Sequence, residues 1–333
     1  MVKKYDYLII GQGVAGSAMA WKLYFKKKSF IILDSEIKNS ASNAALGIYN
    51  PITGRRKALT WNVVKLFKNL EDFYKRIEDY IGTKILFKKK IYRLLKDHGD
   101  FNDWSVRLSN KKFHSFIKEL SNDMVITDKS GYVDVRKYIN ETRKYFKTRD
   151  RYRKYKLNNK DISIVKNKIK LKEFDSKNVI MCLGINQKKI KCFDDLEIKE
   201  VSGSSILTES NISMNHILNK KISIINSSKN TFHIGSTYHN GSENTGYNKI
   251  LDQAENILNK KLKLKEVLFG IRSASKDRRP IVGRHHNISN LFLINGLGSK
   301  GVSQSPYSAN QLFDYIENNK ELDKEINLKR FKT

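Results

Sequence analysis

The sequence is poor in residues that divide or cross-link a chain: its 333 residues include 3 prolines and 2 cysteines, and no uninterrupted apolar run approaches 18 residues. Without such a run, no membrane-spanning helix is expected. Cys182 and Cys192 have neither CxxC nor metal-ligand spacing, which predicts buried free thiols and a reducing, cytoplasmic compartment. The histidines lack ligand spacing too, so no metal site is predicted. The adjacent His285 and His286 would point in opposite directions in a strand and are interpreted as exposed polar residues.

Acidic residues are also scarce, because 64 lysines and arginines stand against 34 aspartates and glutamates, for a net charge of +30. The segment 143–156, RKYFKTRDRYRKYK, combines eight basic residues with four aromatics and one acid. This pattern is typical of a nucleic-acid footprint. Lysines are nevertheless spread along the whole chain, as in a lysine-biased proteome, which favours a solvated basic surface. The net charge alone therefore does not identify a function.

The chain begins with a glycine-rich motif, YDYLIIGQGVAGSAMAWKL, that has two interpretations. A basic start followed by small and apolar residues resembles a secretion signal. Asp6 before the apolar run, and three glycines within it, are poor material for a signal helix. We therefore expect this segment to stay in the mature protein.

The same segment has the order of a dinucleotide-binding fingerprint. A buried strand is predicted at residues 5–10, a helix at residues 17–24 and a second strand at residues 30–33, which ends in Asp34. Strand, GxGxxG, helix, strand and acid together predict binding of a dinucleotide. The acid would accept hydrogen bonds from the adenosine ribose.

Each fingerprint glycine has a separate predicted task. Gly11 permits the tight turn, Gly13 lets a pyrophosphate approach the backbone, and Gly16 lets the helix pack on the strand. The N–H groups at the start of the helix would then bind the phosphates.

No linker or repeat divides the rest of the chain, so the domains are predicted to be interleaved in sequence. The patterns predict helices at residues 61–80, after a capping Asp134 and at residues 249–262, and strands at residues 85–95, 162–171 and 178–183 and several between 201 and 240. The continuous apolar run at 178–183 indicates a buried parallel strand, whereas the alternation at 162–171 indicates an antiparallel one.

A second glycine-rich turn contains Gly296, Gly298 and Gly301, between a predicted strand at residues 291–295 and a predicted helix at residues 308–317. A flavin needs close backbone packing and positive potential where negative charge collects on reduction. Glycines, a helix N-terminus and Lys300 would supply both. The alternative is an ordinary turn between a strand and a helix.

The whole chain resembles the D-amino-acid oxidase/glycine oxidase superfamily of FAD-dependent oxidoreductases, within it a compact branch of Bacteroidetes-type bacteria. The matching segments are GQGVAG, SNAALGIYNP, GYVDVRKYI, NVIMCLG, HIGSTY, GIRSASKDRRPIVGRHH and INGLGSKGVSQSPYSANQLFDYIEN. This resemblance implies that the dinucleotide is FAD.

The resemblance also implies an α/β fold with a doubly wound FAD-binding domain and a smaller, mixed-sheet substrate domain. The FAD-binding domain is predicted to comprise residues 1–80, 131–196 and 277–333. The substrate domain is predicted to comprise residues 81–130 and 197–276.

The site residues follow from the same resemblance. The implied cofactor-binding residues are Gly11, Gly13, Val14, Ala15, Gly16, Asp34, Ser35, Ser42, Asn43, Ala45, Gly47, Gly184, Gly298, Ser299, Lys300, Gly301 and Val302. Tyr49 and Asn50 would lie near the substrate, and Arg272 and Lys300 would carry the chemistry. The FAD is expected to be non-covalent, because the first histidine is His98 and Ser273 stands where some relatives have a tethering cysteine.

The implied activity is oxidation of a C–N bond in an amine that carries a carboxylate, with Arg272 binding the carboxylate. Alternatively, Arg272 pairs with an internal acid such as Asp277. Ser273 replaces a proline common in relatives, and Lys300 replaces an arginine, which puts the transfer of substrate specificity in doubt. Two other functions stay open: the oxidase half of a tRNA wobble-uridine enzyme, and a flavin-retaining protein without amine oxidase activity.

Overall fold

The computed structural model describes residues 3–54, 56–193, 196–209, 211–235 and 246–331. The helices are α1 (Val14–Phe25), α2 (Val63–Ile81), α3 (His98–Ser109), α4 (Val135–Lys147), α5 (Tyr247–Leu258) and α6 (Gly301–Glu317), with short 3-10 helices at Lys111–Phe113, Asn159–Asp161, Gly184–Lys189 and Leu328–Phe331. The strands are β1 (Lys4–Ile10), β2 (Phe30–Asp34), β3 (Ile48–Tyr49), β4 (Ile52–Thr53), β5 (Ala58–Leu59), β6 (Leu86–Lys88), β7 (Ile91–Leu94), β8 (Ile117–Leu120), β9 (Met124–Thr127), β10 (Gly131–Val133), β11 (Tyr152–Lys154), β12 (Ile162–Val165), β13 (Lys168–Leu171), β14 (Asp175–Met181), β15 (Ile198–Glu209), β16 (Ile217–Asn219), β17 (Ser223–Ser228), β18 (Thr231–Gly235), β19 (Lys263–Ser275), β20 (Ile281–Arg284) and β21 (Leu291–Asn295).

A six-stranded sheet in the order β11-β2-β1-β14-β21-β20 forms the first half of the fold. Neighbouring strands run parallel, except that β20 is antiparallel to β21. Side chains of β1 alternate between two apolar clusters, with Tyr7 and Ile9 in one and Leu8 and Ile10 in the other. Where the strands are buried on both faces, at residues 7–10, 179–181 and 291–294, they are apolar without interruption.

An eight-stranded sheet in the order β19-β15-β18-β17-β16-β7-β9-β8 forms the second half. Its pairs are antiparallel, except that β16 runs parallel to β7. A separate three-stranded sheet, β3-β10-β6, contains the strand that follows the loop at residues 42–47. Helix α5 packs on β15 and β18 through the buried Ile250 and Ala254.

The two large sheets take their strands alternately from the chain. The strands of the six-stranded sheet lie within residues 4–34, 152–181 and 281–295, and those of the eight-stranded sheet within residues 91–127, 198–235 and 263–275. The fold is thus mixed α/β, with a parallel Rossmann-like sheet, a largely antiparallel sheet and interleaved segments, which confirms the predicted fold class. The predicted domain bounds stay a prediction.

Two predicted single strands are in fact pairs of strands. Residues 85–95 form β6 and β7, which belong to different sheets, so the chain passes from one sheet to another at residues 89–90. Residues 162–171 form the hairpin of β12 and β13, because Lys166 and Asn167 adopt left-handed φ values of 49° and 57° and turn the chain.

Helix α6 begins at Gly301, earlier than the predicted residue 308, and contains Pro306. A proline lacks the N–H that would bond to the carbonyl four residues earlier, here that of Val302. Tyr74 of α2 replaces this bond, because its hydroxyl donates to the Val302 carbonyl at 3.0 Å. The helix therefore continues through the proline.

Two further segments differ in part from their predictions. Helix α5 ends at Leu258, before the predicted residue 262, where Asn259 adopts a left-handed φ of 47°. Of the region predicted to contain short strands, residues 236–240 lie outside the described residues. No helix within the described ranges is long and apolar enough to cross a membrane.

Candidate cofactor and substrate site

The predicted cofactor residues gather at one edge of the six-stranded sheet. The fingerprint glycines follow β1, Asp34 and Ser35 stand at the end of β2, Gly184 follows β14, and the turn at residues 296–300 follows β21. These four strands are parallel, so their carboxyl ends meet at the same edge. Ligands of doubly wound sheets bind in the crevice at this edge.

The two glycine-rich turns touch each other. A Cβ at Gly301 would lie 2.9 Å from Cγ2 of Val14, and α1 and α6 pack side by side. Both helices begin at this contact, Val14 and Ala15 in the first turn of α1 and Val302 in the first turn of α6. The N–H groups at the two helix N-termini therefore lie close together, which favours the binding of an anion at this edge of the sheet.

Three glycines are required by the packing of the protein itself. A Cβ at Gly16 would lie 1.9 Å from the Gly11 carbonyl oxygen, and one at Gly11 would lie 2.6 Å from the Cys182 carbonyl oxygen. A Cβ at Gly47 would lie 1.9 Å from the Val133 carbonyl oxygen. The predicted roles of Gly11 and Gly16 in the turn and in helix packing agree with these contacts.

Three other glycines leave open space beside the backbone. A Cβ at Gly13 would meet only the Ser42 side chain, with Oγ at 3.0 Å. At Gly184 and Gly298 the nearest atoms would be 3.8 Å and 3.7 Å away, although both residues have positive φ. Such bare backbone at the carboxyl edge of the sheet fits the close approach of a dinucleotide, so the residues present suit the predicted cofactor.

The loop at residues 42–47 crosses the N-terminus of α1. The Ser42 hydroxyl accepts a hydrogen bond from the Val14 N–H at 3.2 Å, and the Asn43 amide donates to the Lys38 carbonyl at 3.0 Å. The buried Ala44 carbonyl accepts from the Ser205 hydroxyl at 2.8 Å, which ties the loop to the eight-stranded sheet, while Ala45 is half-buried. Small side chains therefore line the path between the two sheets.

The acid at the end of β2 is held by backbone donors. Oδ1 of Asp34 accepts from the Gln12 N–H at 2.8 Å, and Oδ2 accepts from the Glu36 N–H at 2.9 Å. Each carboxylate oxygen has a second acceptor position, so ribose hydroxyls can still bind.

Lys300 belongs to a cluster of positive charges at the start of α6, together with Arg278 and Arg279. Burial lowers the pKa of the Lys300 ammonium, and the positive charges of Arg279 and Arg278 lower it further. The adjacent Ser299 is exposed. Positive charge and a helix N-terminus thus coincide at this turn, as a flavin edge requires.

Arg272 lies on β19, opposite Val201 of β15, and donates from Nη1 to the Ser202 carbonyl at 3.4 Å. The next residue, Ser273, accepts at its carbonyl from the Gly298 N–H at 2.8 Å, so this strand borders the turn that is predicted to hold the flavin. The suggested internal partner Asp277 is paired elsewhere, with Arg330 at 2.8 Å.

Tyr49 and Asn50 have structural contacts. Tyr49 is 2% exposed, its ring packs edge-on against Phe67, and a Cβ at Gly131 would lie 2.6 Å from its hydroxyl. Burial raises the pKa of the Tyr49 hydroxyl well above its usual value. Asn50 accepts the Ile52 N–H at Oδ1 at 3.0 Å, forming a local turn. Their proximity to a substrate stays a prediction.

Several polar residues near this edge were not singled out by the motifs. Arg143 of α4 donates a hydrogen bond to Gln12 of the fingerprint turn. His233 binds the Ser205 hydroxyl through Nε2 at 2.9 Å, and burial lowers the pKa of His233 to about 3, so the imidazole is neutral. The positions of Gln12 inside GQGVAG and of His233 inside HIGSTY are the sequence signals that could have marked a role.

Histidines and cysteines offer no separate site in the part of the chain that the structure describes. No group of three or more metal-ligating side chains occurs there. Cys182 and Cys192 are buried, and neither forms a disulfide. His285 and His286 lie in a loop after β20 rather than in a strand, and their rings stack with centroids 4.4 Å apart. His286 is exposed, as predicted, and His285 is half-buried.

Comparison with solved structures gives matches along the whole chain. Iminodiacetate oxidase from Chelativorans sp. BNC1 has a TM-score of 0.79 at 17% identity, over 98% of both chains. Glycine oxidase from Geobacillus kaustophilus has a TM-score of 0.78 at 17% identity, over 98% of both chains. L-amino acid deaminase from Proteus vulgaris has a TM-score of 0.78 at 13% identity, over 99% of this chain and 98% of that chain. The TM-scores and coverages establish a shared fold, and identities this low establish nothing beyond it.

The sequence itself matches a family description over nearly its full length. Residues 6–315 match the family described as FAD dependent oxidoreductase (DAO). The match includes the fingerprint after β1, the arginine strand β19 and the glycine turn before α6. The chain therefore belongs to the DAO family of FAD-dependent oxidoreductases.

Proposed function

We propose that this oxidoreductase oxidises the C–N bond of an amine that carries a carboxylate, such as an amino acid or an N-substituted glycine. The observation that carries the proposal is that Arg272 lies on β19, the strand whose next residue, Ser273, contacts two of the predicted cofactor glycines. Ser273, its neighbour, is bonded to Gly298 and is also nearest to a Cβ at Gly184. A guanidinium fork at this place suits a carboxylate.

The chemistry divides between the cofactor and the chain. FAD, when bound, would supply the two-electron acceptor for a hydride from the substrate α-carbon. Arg272 holds the carboxylate, and Lys300 with Arg279 keeps positive potential at the turn. The amine becomes an imine, which water hydrolyses to a carbonyl compound and an amine or ammonia. The electrons then leave to oxygen or to an electron carrier.

The structural neighbours support this substrate class. Their names describe an oxidase of iminodiacetate, an oxidase of glycine and a deaminase of L-amino acids. All three named compounds combine an amine with a carboxylate. We extend this class to the present chain because its fold is shared with all three.

The test is anaerobic bleaching of the yellow protein by amino acids and N-methyl amino acids. Each compound is paired with the amine that lacks its carboxylate, such as sarcosine with dimethylamine. We expect bleaching by at least one carboxylated amine and none by its partner. Equal bleaching by both members of a pair would show that the carboxylate is not needed. Bleaching by no compound would favour a flavin-retaining protein without amine oxidase activity.

Oxidation of a tRNA wobble uridine is the weaker alternative, because much of the basic segment at residues 143–156 is engaged within the protein. Arg149 stacks on Tyr145, with Cζ 3.6 Å from the ring centroid, and Arg151 donates to the Lys28 carbonyl at 3.0 Å. Binding of bulk tRNA should therefore be weak and lost at physiological salt. Tight binding that survives this salt would favour the alternative.

Two finer assignments belong to the proposal. A cytoplasmic location is supported by the two buried cysteines, which form no disulfide, as is usual in a reducing compartment. Membership of a compact Bacteroidetes-type branch rests on the resemblance of the motifs alone.

A further inference from the structure

A polar cluster connects α4 to the fingerprint turn. Arg143 donates from Nε to Oε1 of Gln12 at 2.9 Å, and its Nη2 lies 3.6 Å from Oδ2 of Asp34. Gln12 donates from Nε2 to the Ile139 carbonyl at 2.9 Å, and its own N–H binds Asp34. Gln12 is 4% exposed, so this arrangement is held inside the protein.

The guanidinium of Arg143 is thereby oriented before any ligand binds. Its Nε is occupied by Gln12, and its Cζ lies 5.6 Å from the ring centroid of Tyr152. Within the described ranges, Nη1 has no protein acceptor. An anchored fork with free donors beside a carboxylate is suited to a ligand that offers both hydroxyls and acceptor atoms.

The position in the sheet identifies which part of the cofactor lies here. Asp34 ends β2, whereas the flavin turn at Gly298 follows β21, and β1 and β14 lie between them. Three strand spacings of about 4.8 Å separate the two positions by about 14 Å. The pyrophosphate would lie between them, at the N-terminus of α1. Arg143 is therefore placed at the adenosine end.

We propose that Arg143, oriented by Gln12, recognises the adenosine half of the cofactor and makes the site specific for a dinucleotide over a mononucleotide flavin. The proposal rests on flavin binding by this chain and adds a residue that determines which flavin is bound. Adenine ring nitrogens and ribose oxygens are the acceptors that the Nη1 donors would meet.

The test is titration of the apoprotein with FAD and with FMN, in which quenching of flavin fluorescence measures binding. Arg143→Ala should weaken FAD binding about 10-fold to 100-fold, as loss of a charge-assisted contact does, while FMN binding stays within about twofold. ADP, which carries only the adenosine half, should compete with FAD for the wild-type protein and much less for Arg143→Ala. Gln12→Ala should act through the same contact, so the double variant should be little worse than Arg143→Ala.

The matched control is Arg149→Ala, which removes a positive charge just after the same helix, where Arg149 stacks on Tyr145. It should change neither affinity. Arg143→Lys serves if the alanine variant does not fold, since it keeps the charge and loses the oriented fork. An FAD affinity unchanged in both Arg143 variants, or an equal loss of FAD and FMN affinity, would overturn the proposal. If the wild-type apoprotein bound no flavin at all, both the proposal about Arg143 and the proposed function would be wrong.

Discussion

Ser273 and Gly298 are joined by a backbone hydrogen bond of 2.8 Å, from the glycine N–H to the serine carbonyl. An isolated bridge between Ala274 and Leu297 extends this contact by one residue on each side. Strand β19, which carries Arg272, and the turn before α6 therefore form one continuous piece of backbone structure. Changes at Arg272 and at Lys300 can be compared directly, because both residues belong to this piece.

Replacement of Gly13 by valine should remove the cofactor and preserve the fold. Only the Ser42 side chain lies near a Cβ at this position, and a φ of −89° suits any residue. A valine would instead occupy the space that a pyrophosphate needs. Flavin absorbance per protein and the melting temperature of the apoprotein measure the two effects.

Gly16→Ala provides the contrasting variant for that measurement. Its Cβ would lie 1.9 Å from the Gly11 carbonyl oxygen, so the backbone must move and the melting temperature should fall. Full flavin occupancy in Gly13→Val would show that the fingerprint does not bind the cofactor.

The FAD should be released by acid precipitation. The first histidine along the sequence is His98, and it begins α3, away from the cofactor edge, while Ser273 has no thiol for attachment. Without a tethering side chain, denaturation should move the yellow colour into the supernatant. Colour that stays with the pellet would reveal a covalent bond.

Arg272→Ala should weaken the binding of carboxylated amines. Loss of a buried charge-assisted contact costs roughly 2–5 kcal/mol in a dry site, and the rate at saturation should suffer less. Anaerobic titration of flavin absorbance gives the affinity, with Arg284→Ala, an exposed arginine at the end of β20, as the control. An unchanged affinity for every reducing amine would reopen the substrate class.

Lys300→Met should lower the reduction potential of the bound flavin, because negative charge on the reduced cofactor loses a positive neighbour. The same change should stabilise the apoprotein. The pKa of Lys300 is lowered in the folded state, so the charged form opposes folding below that pKa, and this cost disappears as the pH rises past the unfolded value.

A redox titration and thermal unfolding at several pH values measure these two effects. The gain in melting temperature from Lys300→Met should therefore shrink in alkaline solution. Lys276→Met, at an exposed position, is the control for loss of charge alone. A potential that stays unchanged would place Lys300 away from the flavin.

Local signals explain which parts of the fold could be predicted. The first strand, turn, helix and second strand were predicted to within a few residues, because apolar strands and glycine turns depend on neighbouring residues. The division of residues 85–95 depends on which sheet each half joins, and that is decided by distant strands. The early start of α6 depends on Tyr74, a residue of another helix, to complete the hydrogen bonding around Pro306.

The site shows the same division. The glycines of both turns are marked by their spacing, and their meeting at one edge follows from parallel strands. Arg143 carries no such mark, because it lies in a segment whose charge predicts only a basic surface. Its partners Gln12 and Asp34 are far away in the sequence and become neighbours through the packing of α4 on the fingerprint.

The strand order has a consequence for synthesis on the ribosome. Strand β14 pairs with β1 on one side and with β21 on the other, and β21 is the last strand within the described residues. Until residues 291–295 emerge, the nascent chain has an unpaired apolar strand edge, which is prone to association with other chains. The turn that would hold the flavin follows that last strand. Cofactor capture and closure of the sheet are therefore expected to wait until residues 291–302 have been synthesised.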